Sequence, residues 1–266
     1  MGASSFASLI DEGQGSDLLP FFCFYGGSIS EVKIAIWNVQ WAKPESKRGL
    51  EIGNLLRQGN FDIVCMTEAF ATSPPEPGYV VTSGADYGYS ATGSRRKVVL
   101  WSRNPWTTVT LRADEDFPSG RLVEGVTETP LGSLTVIGVC IPWRDAHVRT
   151  GRKDRAPWED HLAFLTALQR RLVAGETRRV VLGDFNQRIP NSGCPARVAA
   201  ALAHTMASSR VCTSGPLAPL DRQSIDHAAH SADLVAREVR NWSEFTEDGS
   251  KLSDHFGLQA LLGRQS

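Results

Sequence analysis

The sequence predicts an α/β fold, with mixed β-sheets covered by helices in one domain spanning 31–264. Three stretches carry that expectation. EVKIAIWNV reads as a central strand over 32–39, SKRGLEIGNLLRQG as a helix and FDIVCMTEA as a second buried strand. Strand, helix and strand in so short a span form a βαβ unit, whose strands run parallel. RLVEGVTETPLGSLTVIGVCI reads as a hairpin turning at Pro130-Leu131-Gly132. An amphipathic helix from Asp160 to Val173 then leads into a buried strand, RRVVLGDFN.

The remaining elements follow in order. Residues 1–30 are expected to be a tail of uncertain order, whose LLPFFCF piece suits a short edge segment. In the first helix Leu50, Ile52, Leu55 and Leu56 recur at helical spacing, and Gly59 ends it. Short β-like runs are read at YVVTS, YGYSATG, KVVLWSR and TTVTLR. Residues 144–157 are polar and Arg-rich and read as a surface loop. Residues 187–222 read as irregular, with a short Ala-rich helix near 196–207. SIDHAAHS, AREVRNW and HFGLQALL supply the last strands.

Composition narrows the class. With 41% hydrophobic and 21% charged residues, the chain has the make-up of a water-soluble globular protein. A formal net charge of −1 gives the whole molecule no general attraction for nucleic acid. The five cysteines fit no zinc or redox spacing, and Cys65 and Cys140 lie in apolar runs. A reducing, cytoplasmic setting is expected. No apolar run reaches the roughly 18 residues of a membrane span, and no basic residue precedes Lys33 as a secretory signal would require. Nothing points to an obligate protein partner, so a monomer is expected.

Five short pieces place polar side chains at or just beyond the end of a β-like run. They are IAIWN with Asn38, VCMTE with Glu68, VVLGDFN with Asp184 and Asn186, SID with Asp226, and SDH with Asp254 and His255. Ligands of open α/β folds gather at strand ends. Each piece alone has a plainer explanation: a turn, a bend cap, an exposed edge pair, or a cap by Ser or Asp.

In this order the five pieces resemble the endonuclease/exonuclease/phosphatase superfamily, over nearly all of 32–262. That superfamily includes abasic-site endonucleases, DNase I-like nucleases, neutral sphingomyelinases and inositol polyphosphate 5-phosphatases. GDFN followed about 70 residues later by SDH is its most specific mark here. The resemblance implies a four-layer α/β sandwich, two mixed β-sheets packed face to face with helices on the outer faces. It also implies Mg²⁺, with Mn²⁺ as a substitute, held by Asn38 and Glu68 and supported by Asp254. Asp184 would activate the attacking water, and Asn186 would bond the phosphate or that water. His255 would contact phosphate oxygens, with Asp226 fixing its imidazole. These groups offset the repulsion between an anionic phosphoester and its nucleophile.

One departure stands out. Relatives carry a Tyr or His after the strand matching VIGVCI, where Cys140 stands here. Trp143, Arg144 and His147 are the candidate substrate-binding replacements, with Arg144 preferred because a guanidinium pairs well with phosphate oxygens. Arg144, Arg149, Arg152, Lys153 and Arg155 suit either an anion-attracting loop or a solvated one offset by Asp145, Asp154, Glu159 and Asp160. Arg95-Arg96-Lys97 suits a second phosphate contact or plain surface charge. Trp41 and Trp143 suit stacking on a base or sugar.

The implied activity is hydrolysis of a phosphodiester, foremost in nucleic acid. The alternative is a phosphatase or phosphodiesterase acting on a small molecule or lipid head group. A non-catalytic module on the same fold is disfavoured, because all seven matched polar residues are intact. The sequence leaves open the substrate, endo- or exonucleolytic action, the number of metal ions, and the residue that replaces the missing Tyr or His.

Overall fold

The computed structural model describes residues 30–265 apart from 76, 91–92, 112–118, 174–177 and 192. The expected tail, including its LLPFFCF piece and Cys23, lies outside the described residues. In chain order the elements are β1 (Glu31–Asn38), α1 (Lys47–Gln58), β2 (Ile63–Phe70), β3 (Tyr79–Thr82), β4 (Arg95–Ser102), β5 (Trp106–Thr110), β6 (Leu122–Thr129) and β7 (Gly132–Cys140). They continue with α2 (Glu159–Val173), β8 (Arg179–Asp184), α3 (Ala196–Thr205), β9 (Arg210–Val211), β10 (Pro216–Leu217), β11 (Arg222–Gln223), β12 (Asp226–His230), β13 (Leu234–Trp242) and β14 (Gly257–Arg264).

Two six-stranded sheets result. One has the order β13-β14-β1-β2-β4-β3, the other β5-β6-β7-β8-β12-β9. Each holds one parallel pair, β1 with β2 and β7 with β8, among antiparallel neighbours. Side chains alternate faces along a strand, so β1 splits its apolar residues between two layers. Ile34 and Ile36 turn inward and join Cys65, Val98 and Leu100 against Val136, Val180 and Leu182 of the other sheet. Ala35 and Trp37 turn outward to Ile52 and Leu56 of α1. On the opposite outer face Ile137, Val139 and Val181 meet Phe164, Leu165 and Leu168 of α2 and Leu202 of α3. Helix, sheet, sheet and helix form the four layers of a DNase I-like sandwich. Strands covered on both faces are apolar throughout, which explains the unbroken apolar runs of β1, β2, β7 and β8.

Local chemistry sets the boundaries. The Ser46 side chain caps α1 by accepting from the Gly49 amide at 3.1 Å, and Gly59 closes it. The hairpin turn falls at Pro130-Leu131, between β6 and β7. Two expectations change. Leu50 is exposed, since the buried stripe of α1 is Ile52, Gly53 and Leu56. The YGYSATG run is no strand in its described part: Gly88 has φ 85°, and Tyr87 and Tyr89 pack on one another instead of pairing. The stretch read as irregular over 187–222 holds α3 and the short strands β9 and β10. Among the described residues no helix is long and apolar enough to cross a membrane.

The topology gathers strand ends. Parallel β1 and β2 finish where antiparallel β14 begins, and parallel β7 and β8 finish where antiparallel β12 begins. One rim of the sandwich therefore receives Asn38, Glu68, Asp184, Asp226 and His255.

Between the sheets Gly138 leaves no room for a side chain: an added Cβ would lie 2.6 Å from Val98 and 2.9 Å from Leu100. Gly138→Val is expected to lower the unfolding free energy by about 1–3 kcal/mol through overpacking. Urea unfolding at constant m-value measures the loss; an unchanged midpoint would contradict this sheet packing.

Candidate active site

Asp184 and Asp226 are direct cross-strand partners on β8 and β12. Both are buried, at 3% and 1% exposure. Like charges placed opposite one another are destabilising, and the surroundings answer with specific partners. Asp226 Oδ2 accepts from His255 Nδ1 at 2.6 Å. Asp184 Oδ1 accepts from the Asn186 amide at 2.8 Å, and Oδ2 from Asn38 Nδ2 at 3.2 Å. Ligand atoms of Asp184, Asp226 and His255 lie within 4.8 Å of one another.

These contacts set protonation. Burial, then the Asp226 charge, pushes the Asp184 carboxyl up to about 7, against the pull of His255 and the Asn186 amide. For His255, burial opposes the charge but is outweighed by the attraction and hydrogen bond of Asp226, with Asp184 and Asp254 adding. The imidazole rises to about 10. It is therefore an imidazolium at neutral pH, and with Nδ1 bound to Asp226 its Nε2–H is the outward donor.

Backbone shape delivers these side chains. Gly183 has φ 136°, and a Cβ there would lie 2.0 Å from the Val139 carbonyl oxygen, so only glycine can precede Asp184. Asn186 and Glu68 sit in the left-handed region at φ 54° and 50°. A glutamate rarely does so, and such outliers concentrate at functional sites. One Asn186 amide hydrogen goes to the Ile141 carbonyl at 2.8 Å, and among the described residues the second hydrogen and the oxygen have no partner. Ser253 ties the C-terminal piece to the first strand. Its hydroxyl donates to the Asn38 carbonyl at 2.6 Å and accepts from the His255 amide at 3.2 Å. The Trp37 indole adds a bond to the His255 carbonyl at 2.8 Å.

Glu68 does not stand alone. Its Oε1 accepts from Lys97 Nζ at 2.6 Å, and only 12% of that lysine side chain is exposed. Asn38 Oδ1 accepts from the Gln40 amide at 3.0 Å. Asp254 is half exposed, 3.9 Å from His255 Nε2. A cleft of about 110 Å³ beside Asp226, Asp254 and His255 is walled by Arg188 and Arg222.

Among the described residues no hydrogen bond, ion pair or ring contact joins that cluster to the three residues read as replacements for the missing Tyr or His. Trp143 is exposed. Arg144 is exposed with its guanidinium toward Asp145 at 3.5 Å. His147 is buried and engaged: it stacks on Tyr89 at 4.3 Å, and its Nδ1 accepts from the Arg152 amide at 3.1 Å. Burial and Arg152 lower its pKa, so it is a neutral loop anchor. Arg152 and Arg155 are paired within the loop to Asp154, Glu159 and Asp160, which offsets much of the positive charge there.

Some bracing residues were not singled out from sequence. His161 is buried between the Pro142 carbonyl at 2.7 Å and Gln187 at 2.7 Å, and burial drops its pKa to about 4. His227 is fixed by Thr213 and the Gln187 carbonyl, each at 2.9 Å. His161 lies in a stretch whose sequence signal is only apolar periodicity, and His227 beside Asp226 reads from the sequence as no more than half of an exposed edge pair, whereas it is buried.

The Endonuclease/Exonuclease/phosphatase family model matches residues 35–255. No curated protein matches the sequence. Among solved structures, the 3′ phosphatase NExo from Neisseria, bound to a product DNA hairpin, is 17% identical with a TM-score of 0.64, covering 86% of this chain and 98% of that one. Humanized D. rerio TDP2 is 12% identical, TM-score 0.64, covering 88% and 99%. An endonuclease/exonuclease/phosphatase from Beutenbergia cavernae is 15% identical, TM-score 0.60, covering 89% and 72%. At these identities the structures establish likeness of fold, while the family match spans most of the length and the same rim of polar side chains. The chain belongs to the endonuclease/exonuclease/phosphatase family of phosphoester hydrolases.

Proposed function

We propose that this protein is a divalent-metal-dependent phosphodiesterase acting on nucleic acid. One observation carries the reading: Asn38 and Asn186 hydrogen-bond Asp184, Asp226 hydrogen-bonds His255, and the two groups face each other across the β8–β12 pair with ligand atoms of Asp184, Asp226 and His255 within 4.8 Å.

The donor set fits a hard divalent cation. Glu68 and Asn38 offer carboxylate and amide oxygens, the ligands that suit Mg²⁺ or Mn²⁺, with Asp254 at the margin. Two buried carboxylates with a single imidazolium partner leave negative charge that a cation would offset, and among the described residues Asp226 Oδ1 is buried with no hydrogen-bond partner. When bound, the metal supplies Lewis-acid stabilisation of charge on the phosphoryl and leaving oxygens.

The chain's own residues do the rest. Asp184 takes a proton from the attacking water as its oxygen bonds to phosphorus. Asn38 and the Asn186 amide hold that carboxylate in place. His255 donates from Nε2 to a non-bridging phosphate oxygen as charge grows there. Asp226 keeps the ring oriented and charged. Asn186 has an amide hydrogen left for the phosphate or the water. The bond from phosphorus to the leaving oxygen breaks, that oxygen takes up a proton from solvent and departs as an alcohol, and Asp184 returns to solvent the proton it gained.

Nucleic acid is favoured by the arginines around the cleft, Arg188 and Arg222, which suit the phosphates flanking the scissile one. NExo, bound to a DNA hairpin, and TDP2, complexed with a single-strand DNA product, share the fold. The small cleft beside His255 favours the second reading, a phosphatase or phosphodiesterase for a compact phosphoester.

A panel of abasic, single- and double-stranded DNA, RNA, inositol phosphates and sphingomyelin tests both readings. EDTA is expected to abolish turnover and Mg²⁺ or Mn²⁺ to restore it; equal cleavage in EDTA would refute the metal assignment. Asp184→Ala and His255→Ala are each expected to cut kcat by about 10²–10⁴-fold, the usual span for a positioned acid or base. In the metal-free protein, NMR titration of the imidazole is expected to find His255 protonated until about pH 10. Asp226→Asn should bring it down toward the ordinary value. A raised folded-state pKa stabilises the fold fully below the unfolded value, and that contribution is lost as pH climbs through about 10. A histidine titrating near 6.5 in the wild type would refute the Asp226–His255 pairing.

A further inference from the structure

We infer that Lys97 is a phosphate-binding residue of this site, supplying the donor that Cys140 cannot. This rests on the hydrolytic reading above and names a further residue within it.

The donor is missing where it would be expected. Cys140 lies at the end of β7, in register with Asp184, and is buried with its thiol pushed up to about 12, chiefly by burial. A neutral thiol in such a place is a poor partner for a phosphate oxygen. Trp143, Arg144 and His147 are exposed, paired or stacked elsewhere.

Lys97 stands on β4, facing Glu68 between the paired residues Thr67↔Val98 and Ala69↔Arg96. It reaches the rim from the opposite sheet to Cys140. Strand β4 packs against β7, and of the charged groups acting on the Cys140 thiol the lysine acts most strongly. The stem is boxed by aromatic rings: Nζ is 5.2 Å from the Trp41 ring and 5.6 Å from the Tyr87 ring. Those two rings stack at 5.9 Å, and Arg95 covers Trp41 at 5.1 Å. Trp41 is itself held by a bond from its amide to the Glu68 carbonyl at 2.6 Å. The ammonium is thus fixed in direction, close to the carboxylate assigned to the metal.

An ammonium has three N–H donors. Among the described residues Glu68 is the hydrogen-bond partner of one. Two remain at a head that is largely withdrawn from water, where a charge-assisted bond to a phosphate oxygen is strong. Glu68 alone accounts for the charge of Lys97 but not for its unspent donors or its aromatic box.

Isothermal titration of the full chain with inorganic phosphate, and separately with Mn²⁺, tests the assignment. Lys97→Gln is expected to weaken phosphate binding about 10- to 100-fold, the worth of one hydrogen bond to a charged group, while Mn²⁺ binds as well or more tightly. Lys97→Arg should stay near the wild type. Because Lys97→Gln strands the Glu68 carboxylate, Lys97→Met is also compared in a Glu68→Gln background without metal. There the loss of the lysine should again weaken phosphate. Wild-type phosphate affinity in the Lys97 variants overturns the assignment. So does a loss that tracks Mn²⁺ affinity and vanishes at saturating Mn²⁺, since Lys97 would then only hold Glu68. A wild-type protein that binds no phosphate overturns it as well. Turnover on the substrate panel is read separately: a protein that binds phosphate through Lys97 yet cleaves nothing refutes hydrolysis alone.

Discussion

Two carboxyl groups meet across one rung of an antiparallel ladder, buried, with a single imidazolium between them and neutrality. Most of the rim is organised around the repulsion of Asp184 and Asp226. His255 gains its charge chiefly from the attraction and hydrogen bond of Asp226, and of the two acids Asn38 and Asn186 give hydrogen bonds only to Asp184. The two acids are thereby made unequal. Asp226 is committed to orienting a ring, while Asp184 stays near the point where a proton is exchanged with water at neutral pH. Environments that drive paired acids apart are how proteins separate such roles.

The architecture serves that arrangement by bringing strand ends to one place. Each sheet contributes one parallel pair, and the inward residues of β1, β2, β7 and β8 lock the sheets together. The outward residues of the same strands seat α1 on one side and α2 with α3 on the other. A rigid apolar slab beneath the rim lets glycine and left-handed backbone carry the polar groups above it.

Legibility in the sequence followed the range of the physics. Strands buried on both faces announce themselves as apolar runs, so the βαβ unit over 31–70, the hairpin over 122–140 and the strand ending in Asp184 could be read directly. The five polar pieces located side chains that the fold brings to one rim. What escaped depends on contacts between distant segments. Lys97 looked like one of three consecutive basic residues, and nothing local marked it as buried against Glu68 and Trp41. Arg144 and His147 looked available, and only tertiary packing reveals the ion pair of one and the stacked ring of the other. YGYSATG has the aromatic content of a strand, yet its tyrosines stack along a loop. Leu50 fits helical periodicity but falls just outside the buried stripe.

One position in the sheet order has a bearing on how the molecule is made. The strand β14, at 257–264, lies between β13 and β1, so the oldest strand of the described chain pairs along one edge with the youngest. During synthesis β1 and β2 can associate early, but that edge of β1 stays open until nearly all of the described chain has emerged from the ribosome. The stretch just before β14 carries Ser253, which clamps Asn38, and His255, which pairs with Asp226. A nascent chain thus exposes an apolar strand edge until the last described strand has been made, and the reactive constellation assembles only then.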